Sequence, residues 1–203
     1  MTAEFSNVDV FRDDFSGELP SSAFDCVAMF NDTHLMMESA NSLSRFMSNL
    51  AFLLKPGGFF VGQMHDGAAI WYALQKEVPE ANIPNDYEPR FRRTLFSVSA
   101  PRVITDHIGA TYQFKVRKEE KGTAAISLKT GYLINSTELY AAASEAGLEV
   151  VHMINATEVL ELYSGVYGES LKKKATSKNI LKEQREVLDM YAFCVIKKPE
   201  ASN

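Results

Sequence analysis

The sequence is poor in cysteine, in basic charge and in long apolar runs. Its two cysteines, Cys26 and Cys194, both fall inside apolar, strand-like stretches, which excludes a disulfide framework or a zinc site as the main organiser. Free, buried thiols suit a reducing, intracellular compartment. The four histidines are scattered, without carboxylate or thiol partners at ligand spacing, so no metal is expected. No apolar stretch is long enough to span a bilayer and no basic-then-apolar leader opens the chain, so no membrane association is expected. Lys and Arg total 21 against 26 Asp and Glu, a formal net charge of −5. That balance argues against a broad, non-specific nucleic-acid binder, although it permits a grip on one short, specific end. Glycine is also thin: Gly57-Gly58 is the one adjacent pair, and a Gly-x-Gly loop after a first strand is missing.

What remains is ordinary globular material. The chain has 203 residues, 46% hydrophobic and 23% charged, enough for one domain with a proper core, or one domain carrying an insertion. Ala3–Val10 is a short mixed run ending near Asp9, and Phe24–Phe30 is nearly all apolar and reads as a buried strand. Leu43, Phe46, Met47, Leu50, Leu53 and Leu54 recur at helical spacing before Lys55-Pro56-Gly57-Gly58 stops the helix. Phe59–Met64 is another apolar strand and Gly67–Glu77 begins a second helix. Strand, helix and strand in this order imply a parallel crossover.

The middle of the chain changes character. Pro79, Pro84, Pro89 and Pro101 punctuate it, and Arg90, Arg92 and Arg93 form a basic cluster. Alternating stretches at Thr111–Val116 and Ala125–Ile134, around the turn Lys118–Gly122, predict an antiparallel ribbon. Residues 79–134 are therefore read as an insertion on the parallel sheet of a single domain, 1–203. Beyond it, Asn135 with Glu138 predicts a capped helix ending at Gly147. A strand over Leu148–Met153, a short helix over Thr157–Tyr163, a polar loop over Ser164–Lys178, a helix over Lys178–Leu188 and a closing strand over Tyr191–Ile196 follow. The fold class expected is α/β.

The helix, Lys55-Pro56-Gly57-Gly58 and strand block is similar to the segment that leads into the fifth strand of class I S-adenosylmethionine-dependent methyltransferases, with a Rossmann-like sheet. The likeness narrows through an ordered series: Ala3-Glu4-Phe5 with Asp9, Phe24-Asp25, His34 with Glu38, and Pro56-Gly57-Gly58-Phe59-Phe60-Val61-Gly62. Gly109, Tyr112 and Phe114, then Leu162-Tyr163, then the strand from Tyr191 complete it. Together they resemble the eukaryotic and viral mRNA cap guanine-N7 methyltransferases. That resemblance implies S-adenosylmethionine as cofactor, the capped 5′ end of RNA as partner and a nuclear, intracellular setting. It implies Asp9 and Phe30 on the cofactor, and His34, His65 and Tyr191 around the cap guanine. Catalysis would be by positioning, because guanine N7 is already nucleophilic.

Several positions depart from the family pattern. Phe30 stands where the family has glutamine, Leu35 where it has tyrosine, His65 where it has proline, and Gly131 near its cap-binding glutamate. Without the glycine-rich loop, the chain is expected to start near the third strand of such a sheet. An exposed sheet edge and face would follow, and with it self-association or a partner chain covering the gap. Two rival readings stay open: a non-catalytic methyltransferase-like subunit, and a small-molecule methyltransferase. Plainer roles also stand beside each site residue. Asp9 reads equally as a helix cap near Phe11, His34 as a polar strand-end residue, and Tyr191 as strand packing. His65-Asp66 can serve as the turn into the next helix, while the arginines and Lys172–Lys174 suit solvated surface.

Overall fold

The computed structural model describes residues 6–30, 32–76, 88–93, 96–101, 108–120, 123–166 and 182–200. Among these, α1 (Ala40–Leu53) shows how the sequence directs the fold. The Ser39 hydroxyl accepts from the Ser42 N–H and caps the first turn. Leu43, Phe46, Met47 and Leu50 then line one buried stripe. At its other end the Lys198 ammonium donates to the carbonyls of Ala51 and Leu54, at 2.6 and 2.8 Å. Those carbonyls have lost their helical partners, so a cation there satisfies both their lone pairs and the helix dipole.

The chain leaves α1 through Lys55-Pro56 and reverses at Gly57, whose φ of +78° suits glycine. β2 (Leu54–His65) then runs parallel to β1 (Phe24–Phe30), giving the anticipated crossover. β7 (Glu149–Asn155) and β8 (Tyr191–Lys197) complete one sheet in the order β1-β2-β8-β7, with β8 antiparallel to both neighbours. One face of this sheet packs Phe60, Met64, Ala192, Cys194 and Ile196 against α1 and against α3 (Ser136–Glu145). The α3 cap is as expected, with the Asn135 side chain accepting from the Thr137 and Glu138 N–H groups. Gly147, at φ +73°, follows its last turn.

A second sheet, in the order β3-β4-β5-β6, is wholly antiparallel: Arg90–Arg92, Phe96–Ser99, Thr111–Glu120 and Thr123–Tyr132. It buries Phe91, Phe96, Val98, Tyr112 and Phe114 against α2 (Gly67–Lys76). The ribbon is longer than its alternation suggests, and β3 and β4 are additions that three- and four-residue strands do not announce. α4 (Ala156–Val166) and α5 (Lys182–Leu188) flank β7 and β8 in sequence. Helix α4 takes in residues 164–166, read above as the start of a loop, while 167–181, with Lys172–Lys174, lie outside the described residues, as does Ala3-Glu4-Phe5. Asp9 to Asp13 form a turn.

One expectation is overturned. β1 is a strand but not a buried one: Phe24 and Phe30 are exposed, and so is Cys26. The reason is the face: Phe24, Cys26 and Phe30 alternate onto the open side of the sheet, while Val27 and Met29 pack against the core from the other. Phe59 extends the same uncovered apolar surface. The two thiols therefore differ. Cys194 is buried, and burial pushes its thiol up to about 12. Titration of the native protein with an aromatic disulfide should label Cys26 promptly and Cys194 only on unfolding. Prompt labelling of both would contradict this packing.

Candidate functional site

The carboxyl ends of β1 and β2 converge on a cluster of rings. After β1 the chain enters a 3₁₀ turn, Thr33–Glu38, held over β2 by the Thr33 hydroxyl, which donates to the Gln63 carbonyl at 2.5 Å. That anchor buries His34. His65 ends β2, and the register of the sheet sets it directly opposite Tyr191, the first residue of β8. From the second sheet, β5 contributes Tyr112 and Phe114, two residues apart and so on one face.

His65 lies at the centre. Its ring centroid is 4.5 Å from Tyr191, 4.8 Å from Phe114, 5.4 Å from Tyr112 and 5.7 Å from His34, with which it stacks at 15°. The Tyr112 hydroxyl and the His65 Nδ1 share a hydrogen bond. Burial pushes the Tyr112 phenol far above its usual range, and neighbouring Tyr191 pushes it further; burial also raises Tyr191. Both phenols are therefore neutral hydrogen-bonding groups at ordinary pH, and neither serves as a phenolate base. Gly131, on β6, makes room for this arrangement. A Cβ there would stand 2.6 Å from the Tyr112 Oη and 2.9 Å from the His34 Cδ2.

His34, His65 and Tyr191 are thus gathered in one place, while Asp9 and Phe30 stand apart from the rings. Asp9 is exposed and its Oδ1 accepts from the Phe11 N–H at 3.0 Å, bracing a turn where a helix near Phe11 is the plainer expectation. Phe30 is 52% exposed at the end of β1. Of the His65-Asp66 pair, His65 joins the rings, while Asp66 Oδ1 accepts from the Ala68 and Ala69 N–H groups and starts α2. Among the described residues no group of three or more His, Cys, Asp or Glu side chains is placed to hold a metal ion. No described helix is long and apolar enough to cross a membrane.

A family model described as the mRNA (guanine-N(7))-methyltransferase domain matches residues 1–199. The chain belongs to that family. It is 27% identical over 214 residues to mRNA cap guanine-N(7) methyltransferase 2 of Oryza sativa subsp. japonica, covering 98% of this chain and 60% of that protein. With mRNA cap guanine-N(7) methyltransferase 2 of Arabidopsis thaliana it shares 25% identity over 211 residues, 97% of this chain and 58% of the relative. The chain thus spans less than two thirds of the length of either. Among solved structures it is similar to an S-adenosylmethionine-dependent methyltransferase from Clostridium acetobutylicum. There the TM-score is 0.49 at 10% identity, over 96% of this chain and 64% of that one. It is also similar to the CcbJ methyltransferase from Streptomyces caelestis, with a TM-score of 0.47 at 16% identity over 90% and 60%.

In this family member the central rings include two that the resemblance places on an inserted strand without assigning them to the pocket. The alternation of β5 puts Tyr112 and Phe114 on one side, but nothing local shows that His65 is what they meet. Gly131 is the sharpest consequence. Because Tyr112 is 1% exposed, its ring has no space into which to retreat. Gly131→Ala should cost about 1–3 kcal/mol, the usual range for overpacking a tight site. Urea denaturation would read this directly, and an unchanged midpoint would mean that the cluster is packed less closely than described.

Proposed function

We propose that this chain is the acceptor-side part of an S-adenosylmethionine-dependent methyltransferase acting on guanine N7 of an RNA cap. The observation that carries the reading is the ring cluster at the carboxyl ends of β1 and β2, where α/β sheets bind their ligands. Residues 1–203 form one methyltransferase-like domain on this reading, with 79–134 inserted, and the substrate goes with a nuclear, intracellular setting.

The groups present suit both partners. Phe30 offers an exposed aromatic face at the end of β1, and the exposed Asp9 carboxylate is of the type that accepts from an adenine amino group. S-adenosylmethionine, when bound, supplies an electrophilic methyl group. Everything else falls to the chain. Tyr191 is the half-buried member of the cluster, so it presents the face on which a purine stacks. His65 and Tyr112, locked by their hydrogen bond, fix the plane of that face. Guanine N7 has its own lone pair, so the residues orient the base and exclude water rather than remove a proton. The ring gains positive charge as it is methylated, and an aromatic wall stabilises that charge. One observation favours a second reading, a non-catalytic subunit: the Asp9 carboxylate is already engaged by its own turn and lies 3.8 Å from the Arg12 guanidinium.

The intact protein should transfer a labelled methyl group to a guanosine-capped RNA. Tyr191→Ala should lower kcat/KM by about 10- to 100-fold, since stacking on an aromatic ring is worth about 1–3 kcal/mol per base. Full activity in that variant would remove Tyr191 from the pocket. A wild-type protein that binds the cofactor and methylates a small nucleoside but not the cap would overturn the acceptor assignment, and one that does neither would favour the non-catalytic subunit.

A further inference from the structure

The outward face of the second sheet is a separate feature. The basic cluster of the sequence does not stay together in space: Arg93 turns away, pairing with Glu186 at 2.7 Å and lying over the Phe91 ring. Arg90 and Arg92 instead point outward from β3, and Lys115 joins them from β5. Strand pairing arranges this face in two rows. One runs Arg90, Ser99, Gln113 and the other Arg92, Ser97, Lys115, and together they line a shallow depression. Glu88, paired with Arg90 at 2.9 Å, is the acid beside them.

We propose that this face binds the phosphate–ribose backbone of single-stranded RNA, downstream of the residue held at the ring cluster. The proposal rests on the cap reading for the identity of its ligand. Three observations point to nucleic acid. The chain is acidic overall, at −5, so cations gathered on one face make a local attraction against that background. Arg90 and Arg92 are two residues apart on one strand, about 6.6 Å, a spacing at which guanidinium forks can meet successive phosphates. Between them and Lys115 stand Ser97, Ser99 and Gln113, neutral donors suited to phosphate and ribose oxygens. β5 connects the two sites physically. Tyr112 and Phe114 face the ring cluster while Gln113 and Lys115 face outward, so one layer of sheet separates them.

The test is fluorescence anisotropy on the intact protein with a short capped RNA, the same RNA uncapped, a cap dinucleotide and polyglutamate. Arg92→Gln combined with Lys115→Gln should weaken both RNAs about tenfold and flatten the salt dependence by about one to two phosphate contacts, leaving the dinucleotide unaffected. Lys55→Gln combined with Lys76→Gln removes the same charge elsewhere and should change RNA binding little. Unaltered RNA affinity in the first variant, an equal loss in the second, or a loss confined to polyglutamate would overturn the proposal. Failure of the cap reading is seen separately: the wild type would not methylate capped RNA, while uncapped RNA would still depend on Arg92 and Lys115.

Discussion

The antiparallel register between β2 and β8 is the constraint on which the rest of this molecule depends. It sets Phe60 opposite Ile196, Gly62 opposite Cys194 and His65 opposite Tyr191. A slip of one residue would turn the buried set Ala192, Cys194 and Ile196 away from α1 and bring Tyr191, Phe193 and Val195 inward. The same register carries Lys198 to the end of α1, where its ammonium satisfies two carbonyls and its own backbone exchanges hydrogen bonds with Gly57 and Gly58. Core, helix cap and ring cluster are thus three results of one alignment between segments far apart in the chain.

Local chemistry made parts of this plain from the residues. Leucine and phenylalanine at helical spacing, closed by Pro56 and Gly57, leave few alternatives to α1 followed by a reversal. Asn135 three residues before Glu138 is equally explicit. Burial was less legible. Phe24–Phe30 has the composition of an interior strand, yet whether such a strand is interior depends on neighbours that its own residues do not encode. One face of β1 packs on the core through Val27 and Met29 and the other is open, so Phe30 and Cys26 stand exposed. β3 and β4 are too short for any period to register, and pairing, β3 with β4 and β4 with β5, is what makes them strands.

The site divides in the same way. His34 and Tyr191 follow from an ordered family pattern and His65 departs from it, and the three rings lie together. Tyr112 had to come from another sheet, and its meeting with His65 depends on how the two sheets pack. Gly131 is the trace that this meeting leaves in the sequence. A residue opposite Tyr112 on β6 must lack a side chain if the phenol is to reach the histidine. Read alone, such a glycine in a strand signals only a bulge or a close approach. What approaches it is known only once the fold is.

β5 shows how one strand can serve an aromatic interior and a charged surface at once. Strand geometry sends successive side chains to opposite faces. One run, Tyr112-Gln113-Phe114-Lys115, therefore supplies rings to an interior where charge would be costly and polar groups to a surface where charge is screened but free to act. The inner rings exclude water and stay neutral, as the raised Tyr112 and Tyr191 phenols require. The outer cations need no burial, and they carry no desolvation penalty until a ligand arrives. Neither face could be exchanged for the other: Lys115 in the cluster would be an unpaired charge beside His65, and Tyr112 on the outer face would leave His65 without its hydrogen bond. The period of the strand keeps the two chemistries apart while holding them one sheet thickness from each other.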